Sequence, residues 1–173
     1  CSYDLKRLIP LGLITLEDIP SAVDELQRIA KKGMRGAMIW AEPPGDRPYS
    51  DPDYEPFWAA AQDLNMPLSL HILTARSGTG ANPASGKDFL LSLANLHHQI
   101  ERSISVLVYG GVLEKFPGLR IVSAENDVGW MAYFMYRLDT VQHRLGALGN
   151  MKLPLRASEY IKRQVYATFI ADP

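Results

Sequence analysis

Cysteine is almost absent: Cys1 is the single one in 173 residues. An internal disulfide framework is thereby excluded, and the composition fits a reducing compartment such as the cytoplasm. Neither sign of charge is in excess, the formal net charge being -1. That leaves no basic footprint for nucleic acid and no like-charged tail. Long hydrophobic runs are missing as well. The stretch Ile104–Val108 is broken by Tyr109, Gly110 and Gly111, far short of the roughly 18–20 apolar residues a membrane-spanning helix needs. There is no Gly-Lys-Ser/Thr phosphate loop, no Gly-x-Ser-x-Gly elbow and no Cys/His nucleophile pair. Gly78-Thr79-Gly80 is half of a dinucleotide fingerprint, but Pro83 stands where the third glycine is required.

What is present is an ordinary globular composition, 47% hydrophobic, enough for one substantial core. Five apolar segments read as strands: Arg7–Ile14, Gly36–Trp40, Pro67–Leu73, Leu119–Ala124 and Val165–Ile170. They do not alternate with polar residues, as expected of parallel strands buried on both faces. Helical patterns lie between them. Ser21–Lys32 carries Ala22, Val23, Leu26, Ile29 and Ala30 on one face, with Pro20 in its first turn and Gly33 at its end. A second helix begins near Asp53, a long one spans Asp88 to Tyr109, and a last one runs from Val128 to Leu145.

Strands and helices alternating at roughly 30-residue intervals indicate an α/β fold with a parallel sheet. Two architectures meet that description: an open doubly wound sheet and part of a (β/α)8 barrel, which needs eight strands and about 250 residues. The chain opens on Cys1-Ser2-Tyr3 and stops at Asp172-Pro173, directly after a strand-like segment. Both ends read as cuts, so the expectation is one partial barrel domain over residues 1–173, with about five of its eight strands.

Ligands of α/β folds sit beyond the carboxyl ends of the strands. His71 stands near the end of the third strand, as a metal ligand or general base, or as a core histidine satisfied by its neighbours. Glu125 follows the fourth strand, where a carboxylate can bind a cation or move a proton. Asp127 reads as a cap of the helix that follows. Trp40 and Glu42 end the second strand, as core tryptophan and loop carboxylate or as a substrate wall. Arg76 could meet an anionic substrate through its planar guanidinium. His97, His98 and His143 fall on helices and read as structural or surface residues.

Pro67-Leu68-Ser69-Leu70-His71 resembles the strand that bears a metal-ligating histidine in the amidohydrolase-related family, which includes aminocarboxymuconate semialdehyde decarboxylase. Further segments carry the same resemblance: Asp18–Gly36, Asp51–Trp58, Gly110–Leu119, Gly129-Trp130 through Arg137-Leu138-Asp139, and Ser158 through Phe169. Together they cover nearly the whole chain. The resemblance implies a (β/α)8 barrel holding one divalent metal, usually zinc and sometimes manganese. It also implies hydrolysis or non-oxidative decarboxylation of a small carboxylate or aromatic substrate. His71 is the lone histidine ligand of that pattern, and the family's His-x-His pair and aspartate would lie outside this chain. Glu125 stands where many decarboxylase members have a histidine, and a carboxylate cannot donate a proton as an imidazolium does. Trp40 and Trp130 would suit a planar substrate. Neither nucleic acid nor membrane is expected as a partner, and a homo-oligomer is left open. Two other readings remain: an open-sheet nucleotide- or phosphate-binding module using the loop Thr74–Gly86, and a degenerate barrel without metal.

Overall fold

The computed structural model describes residue 4 and residues 7–76 and 86–170. In chain order its elements are β1 (Gly12–Leu13), α1 (Ile19–Lys31), β2 (Ala37–Trp40), a 3-10 turn (Pro52–Tyr54), α2 (Glu55–Asp63) and β3 (Leu68–His71). There follow α3 (Gly86–Ala94), α4 (His97–Tyr109), α5 (Val112–Lys115), β4 (Ile121–Ala124), α6 (Met131–Leu145), α7 (Ala157–Gln164) and β5 (Val165–Ala167).

The five strands form one sheet in sequential order, and every neighbouring pair is parallel. Each crossover therefore moves the chain one strand in the same direction. A doubly wound sheet reverses at a switch point; this one never does. Sequential winding is the topology of a barrel, and five of its eight strands are here. The open-sheet alternative thus loses its architecture, and Gly78-Thr79-Gly80 with Pro83 lies outside the described residues.

Strand register sorts the side chains. Ala37, Ile39, Leu68, Leu70, Ile121 and Ser123 face the helices and are buried. The other face carries the row Leu13, Met38, Ser69, Val122 and Tyr166 and, one step further along, the row Trp40, His71 and Ala124. Leu13 is 70% exposed and Tyr166 52%, so this second face is uncovered at its margins.

Local chemistry explains the outer layer. Asp18 caps α1, accepting from the Ser21 N–H at 2.9 Å, and Gly33 leaves the helix with φ +79°. A Cβ at Gly12 would press on the tip of Ile29 of α1, so a larger residue there requires that side chain to shift. Tyr49, Tyr54, Phe57 and Trp58 form a buried aromatic cluster under the loop that leaves β2.

Several expected boundaries shift. Arg7–Ile14 contributes only Gly12–Leu13 to the ladder, because Pro10 interrupts it and Leu8, Ile9 and Leu11 are exposed. The single helix expected over Asp88–Tyr109 is two, broken at Asn95-Leu96, and Leu90 and Leu93 point to solvent. The last long helix starts at Met131 rather than Val128. Helices α5 and α7 were not anticipated.

Candidate active site at the carboxyl ends of the strands

His71 is the last residue of β3, and Glu125 follows β4 directly. The two strands are neighbours, so both side chains emerge at one end of the sheet. His71 Nε2 and Glu125 Oε2 are 3.0 Å apart, with both side chains partly exposed. The imidazole is oriented from behind: Nδ1 stands 2.9 Å from the Ile72 carbonyl oxygen. A carbonyl can only accept, so Nδ1 carries the proton and Nε2 offers its lone pair towards Glu125. Two lone-pair atoms hold a 3.0 Å approach when a proton lies between them or a cation stands beside them.

That arrangement fits a divalent ion. A ligating histidine ordinarily donates its other N–H to a carbonyl or carboxylate, as His71 does here. Among the described residues no group of three or more His, Cys, Asp or Glu side chains could hold an ion. His71, with Glu125 beside it, could therefore supply one ligand of a larger set, not a whole one.

Glu125 adopts φ +57° and Asp127 φ +51°. Both lie in the left-handed region, which costs a residue with a Cβ about 1–2 kcal/mol. The turn is tied down on several sides. The Glu125 N–H donates to Thr168 Oγ1 at 2.8 Å, and Asp127 Oδ1 accepts from the Ile170 N–H at 3.0 Å. The Trp130 indole N–H donates to the carbonyls of Asn126 and Asp127 at 2.7 and 3.1 Å. Asp127 thus ties the turn to the chain beyond β5. Helix α6 begins after Trp130, its N-cap residue, which makes no side-chain cap bond.

The exit of β3 folds over the end of β2. Thr74 Oγ1 donates to the His71 carbonyl and accepts from the Ala41 N–H, each at 2.7 Å, and the Arg76 N–H donates to the Glu42 carbonyl. Arg76 consequently lies over the Trp40 ring, 5.7 Å from its centroid, and pairs with Glu17 at 3.0 Å. Trp40 is buried, 8% exposed. Glu42 is gripped by Arg102 in a two-pronged pair at 2.6 and 2.9 Å, which raises the guanidinium pKa and removes Glu42 from the list of free carboxylates.

Beside Glu125 opens a cleft of about 440 Å³, bordered by Ile72, His97, Asp127, Trp130 and Ile170. His97 was read as a structural or surface residue, yet it stands at this cleft. Its ring packs on that of His98, 4.1 Å between centroids. Burial, then the neighbouring His98, push its pKa below the usual histidine value. The helix break at Asn95 is the signal that would have found it. Because α4 begins at His97, that residue lies at the start of a helix, on the side where strands end. His98 and His143 are exposed.

The amidohydrolase family profile matches residues 2–171. This chain belongs to the amidohydrolase family. It is 26% identical over 150 residues to the gamma-resorcylate decarboxylase of Rhizobium sp., covering 80% of this chain and 44% of that protein. The 5-carboxyvanillate decarboxylase of Sphingomonas paucimobilis superposes with a TM-score of 0.80 at 22% identity, over 96% of this chain and 49% of that one. The corresponding enzyme of Novosphingobium aromaticivorans, solved with manganese and 4-hydroxy-3-methoxy-5-nitrobenzoic acid, gives 0.75 at 20% identity, over 92% and 46%. The chain spans about half the length of the curated relatives it matches. These structural likenesses concern the fold. Among the described residues, no helix of this amidohydrolase segment is long and apolar enough to cross a membrane.

Proposed function

We propose that this chain is part of a metal-dependent amidohydrolase that removes carbon dioxide from a small aromatic carboxylate. The observation that carries the reading is the 3.0 Å approach of His71 Nε2 to Glu125 Oε2 at the carboxyl ends of two adjacent strands. The resorcylate and carboxyvanillate decarboxylases among its relatives support the substrate class. Zinc is the metal proposed, and manganese, bound in the Novosphingobium relative, is the alternative. A bound divalent ion would polarise a substrate oxygen and stabilise negative charge developing on it.

The chain's own residues take the remaining roles. His71 would hold the ion through Nε2, its ring fixed by the Ile72 carbonyl. Glu125, beside His71 at the mouth of the sheet, would shuttle the proton that takes the place of the departing carboxylate on the ring carbon as carbon dioxide leaves. Arg76 would meet an anionic group of the substrate, with Trp40 beneath it and Trp130 bordering the cleft. A cytoplasmic enzyme acting on a free small molecule fits this site.

Hydrolysis is the second reading, and one observation favours it. Glu125 is a carboxylate, suited to accept a proton from a water held beside His71. Turnover of gamma-resorcylate and 5-carboxyvanillate by the full-length protein, before and after chelation, separates the possibilities. Carbon dioxide release that stops on chelation and returns with added metal is the expected result. Undiminished release after complete metal removal would overturn the metal requirement. Hydrolysis of esters or amides with no carbon dioxide formed would replace the first reading with the second.

A further inference from the structure

Nothing in the reading above gives a role to β5, yet its end grips the residue on which that reading turns. Thr168 follows β5, and its backbone N–H donates to the Ser123 carbonyl of β4 at 2.9 Å. That bond fixes the threonine against the neighbouring strand. Its hydroxyl oxygen then accepts the Glu125 N–H at 2.8 Å. Two residues on, the Ile170 N–H donates to Asp127 Oδ1 at 3.0 Å. The two ties bracket the segment Glu125–Asp127, whose first and last residues have positive φ.

We propose that Thr168 is a positioning residue for Glu125. Left to its own preference, a glutamate relaxes to negative φ. Such a rotation re-aims the Cα–Cβ bond and carries the carboxylate away from β3. The hydroxyl of Thr168 opposes that relaxation by holding the Glu125 N–H in the direction the left-handed turn requires. The carboxylate is thereby returned across the sheet to His71 Nε2, 3.0 Å away. The Trp130 indole, bonded to the Asn126 and Asp127 carbonyls, fixes the far side of the same turn but does not touch Glu125 N–H. Among the described residues, Thr168 is the side chain seen to bond the backbone N–H of Glu125 itself. The hydroxyl is the working group: serine would retain it, whereas valine keeps the shape and removes the acceptor.

The inference rests on the proposed role of Glu125, and the test separates the two. In the full-length protein, kcat, KM and metal content are measured for Thr168→Val, Thr168→Ser, Glu125→Gln and the Thr168→Val/Glu125→Gln pair. Thr168→Val is expected to lower kcat about tenfold, as misplacement of a reacting group does, with KM and metal content unchanged. Thr168→Ser should restore most of the rate, and Thr168→Val should cost nothing further once Glu125 is glutamine. Equal losses in Thr168→Val and Thr168→Ser would overturn the inference, because a packing defect would then explain both. So would a tenfold loss that persists in the Glu125→Gln background, or a Thr168→Val variant at full rate beside an impaired Glu125→Gln. A fully active Glu125→Gln variant would instead remove the role of Glu125 and the reading beneath it.

Discussion

Replacing Tyr49 by phenylalanine removes one oxygen from a ring that is fully buried. That oxygen donates to the Trp40 carbonyl at 2.6 Å, at the end of β2 where the site begins. Burial holds the phenol pKa well above its ordinary value, so the donor keeps its proton across any practical pH. The ring itself would stay, with its edge contacts to Tyr54 at 5.5 Å and Trp58 at 5.4 Å. The perturbation is therefore a single hydrogen bond in a place water does not reach. Its loss should cost about 1–2 kcal/mol. Tyr54→Phe is the internal control. Its hydroxyl donates to the Arg47 carbonyl at a longer 3.1 Å, a weaker bond although Tyr54 is equally buried, so a loss of about 1 kcal/mol, smaller than that of Tyr49→Phe, is expected. Urea unfolding of the full-length variants at unchanged m reports both numbers. The reasoning fails if Tyr49→Phe is as stable as the parent, or if Tyr54→Phe costs more than Tyr49→Phe.

Three further outcomes are expected. The isolated 173-residue segment should bind zinc more weakly than micromolar in calorimetry, because it retains His71 where zinc normally takes three or four protein ligands; tighter binding would contradict this. The same segment should lack a cooperative thermal transition, since its edge strands leave Leu13, Tyr166, Phe169 and Ile170 exposed at 70, 52, 68 and 63%; a sharp, monomeric melt would refute it. His97 should make the full-length protein less stable in mild acid. Its folded pKa is depressed by burial and by His98, against an opposing pull from Glu101. The unfolded chain therefore takes up the proton first, and stability falls as pH drops through about 6.5. The urea midpoint should drop between about pH 7.5 and 5.5, and less so in His97→Gln; an equal drop in the variant would exclude His97 as the cause.

Much of this architecture was legible in the chain because parallel strands covered by helices must be apolar throughout. Leu68, Leu70 and Ile121 announce such strands, and strands in sequential order bring the ends of β3 and β4 together. His71 and Glu125 could thus be assigned to one site although they lie 54 positions apart in the chain. The limits of each strand were less legible. An apolar residue such as Leu11 or Ile170 reads alike whether it pairs in the ladder or faces solvent. Helix α7 escaped because its fixing contacts are remote: Ser158 bonds Asp139 of α6 through both its N–H and its hydroxyl, at 2.9 and 2.7 Å. Thr168 and His97 escaped for a related reason. Their meaning comes from a turn and a helix break, which no periodicity encodes.

The central claim is that His71 and Glu125 share one catalytic site in distinct roles. Metal content by mass spectrometry and kcat, measured together on His71→Ala and Glu125→Gln in the full-length protein, test it most directly. His71→Ala should lose metal and rate in parallel. Glu125→Gln keeps its size and hydrogen-bonding capacity but cannot carry the proton, so metal should remain while kcat falls by about 10²–10⁴. Near-normal kcat in Glu125→Gln, or full metal content in His71→Ala, would contradict the account.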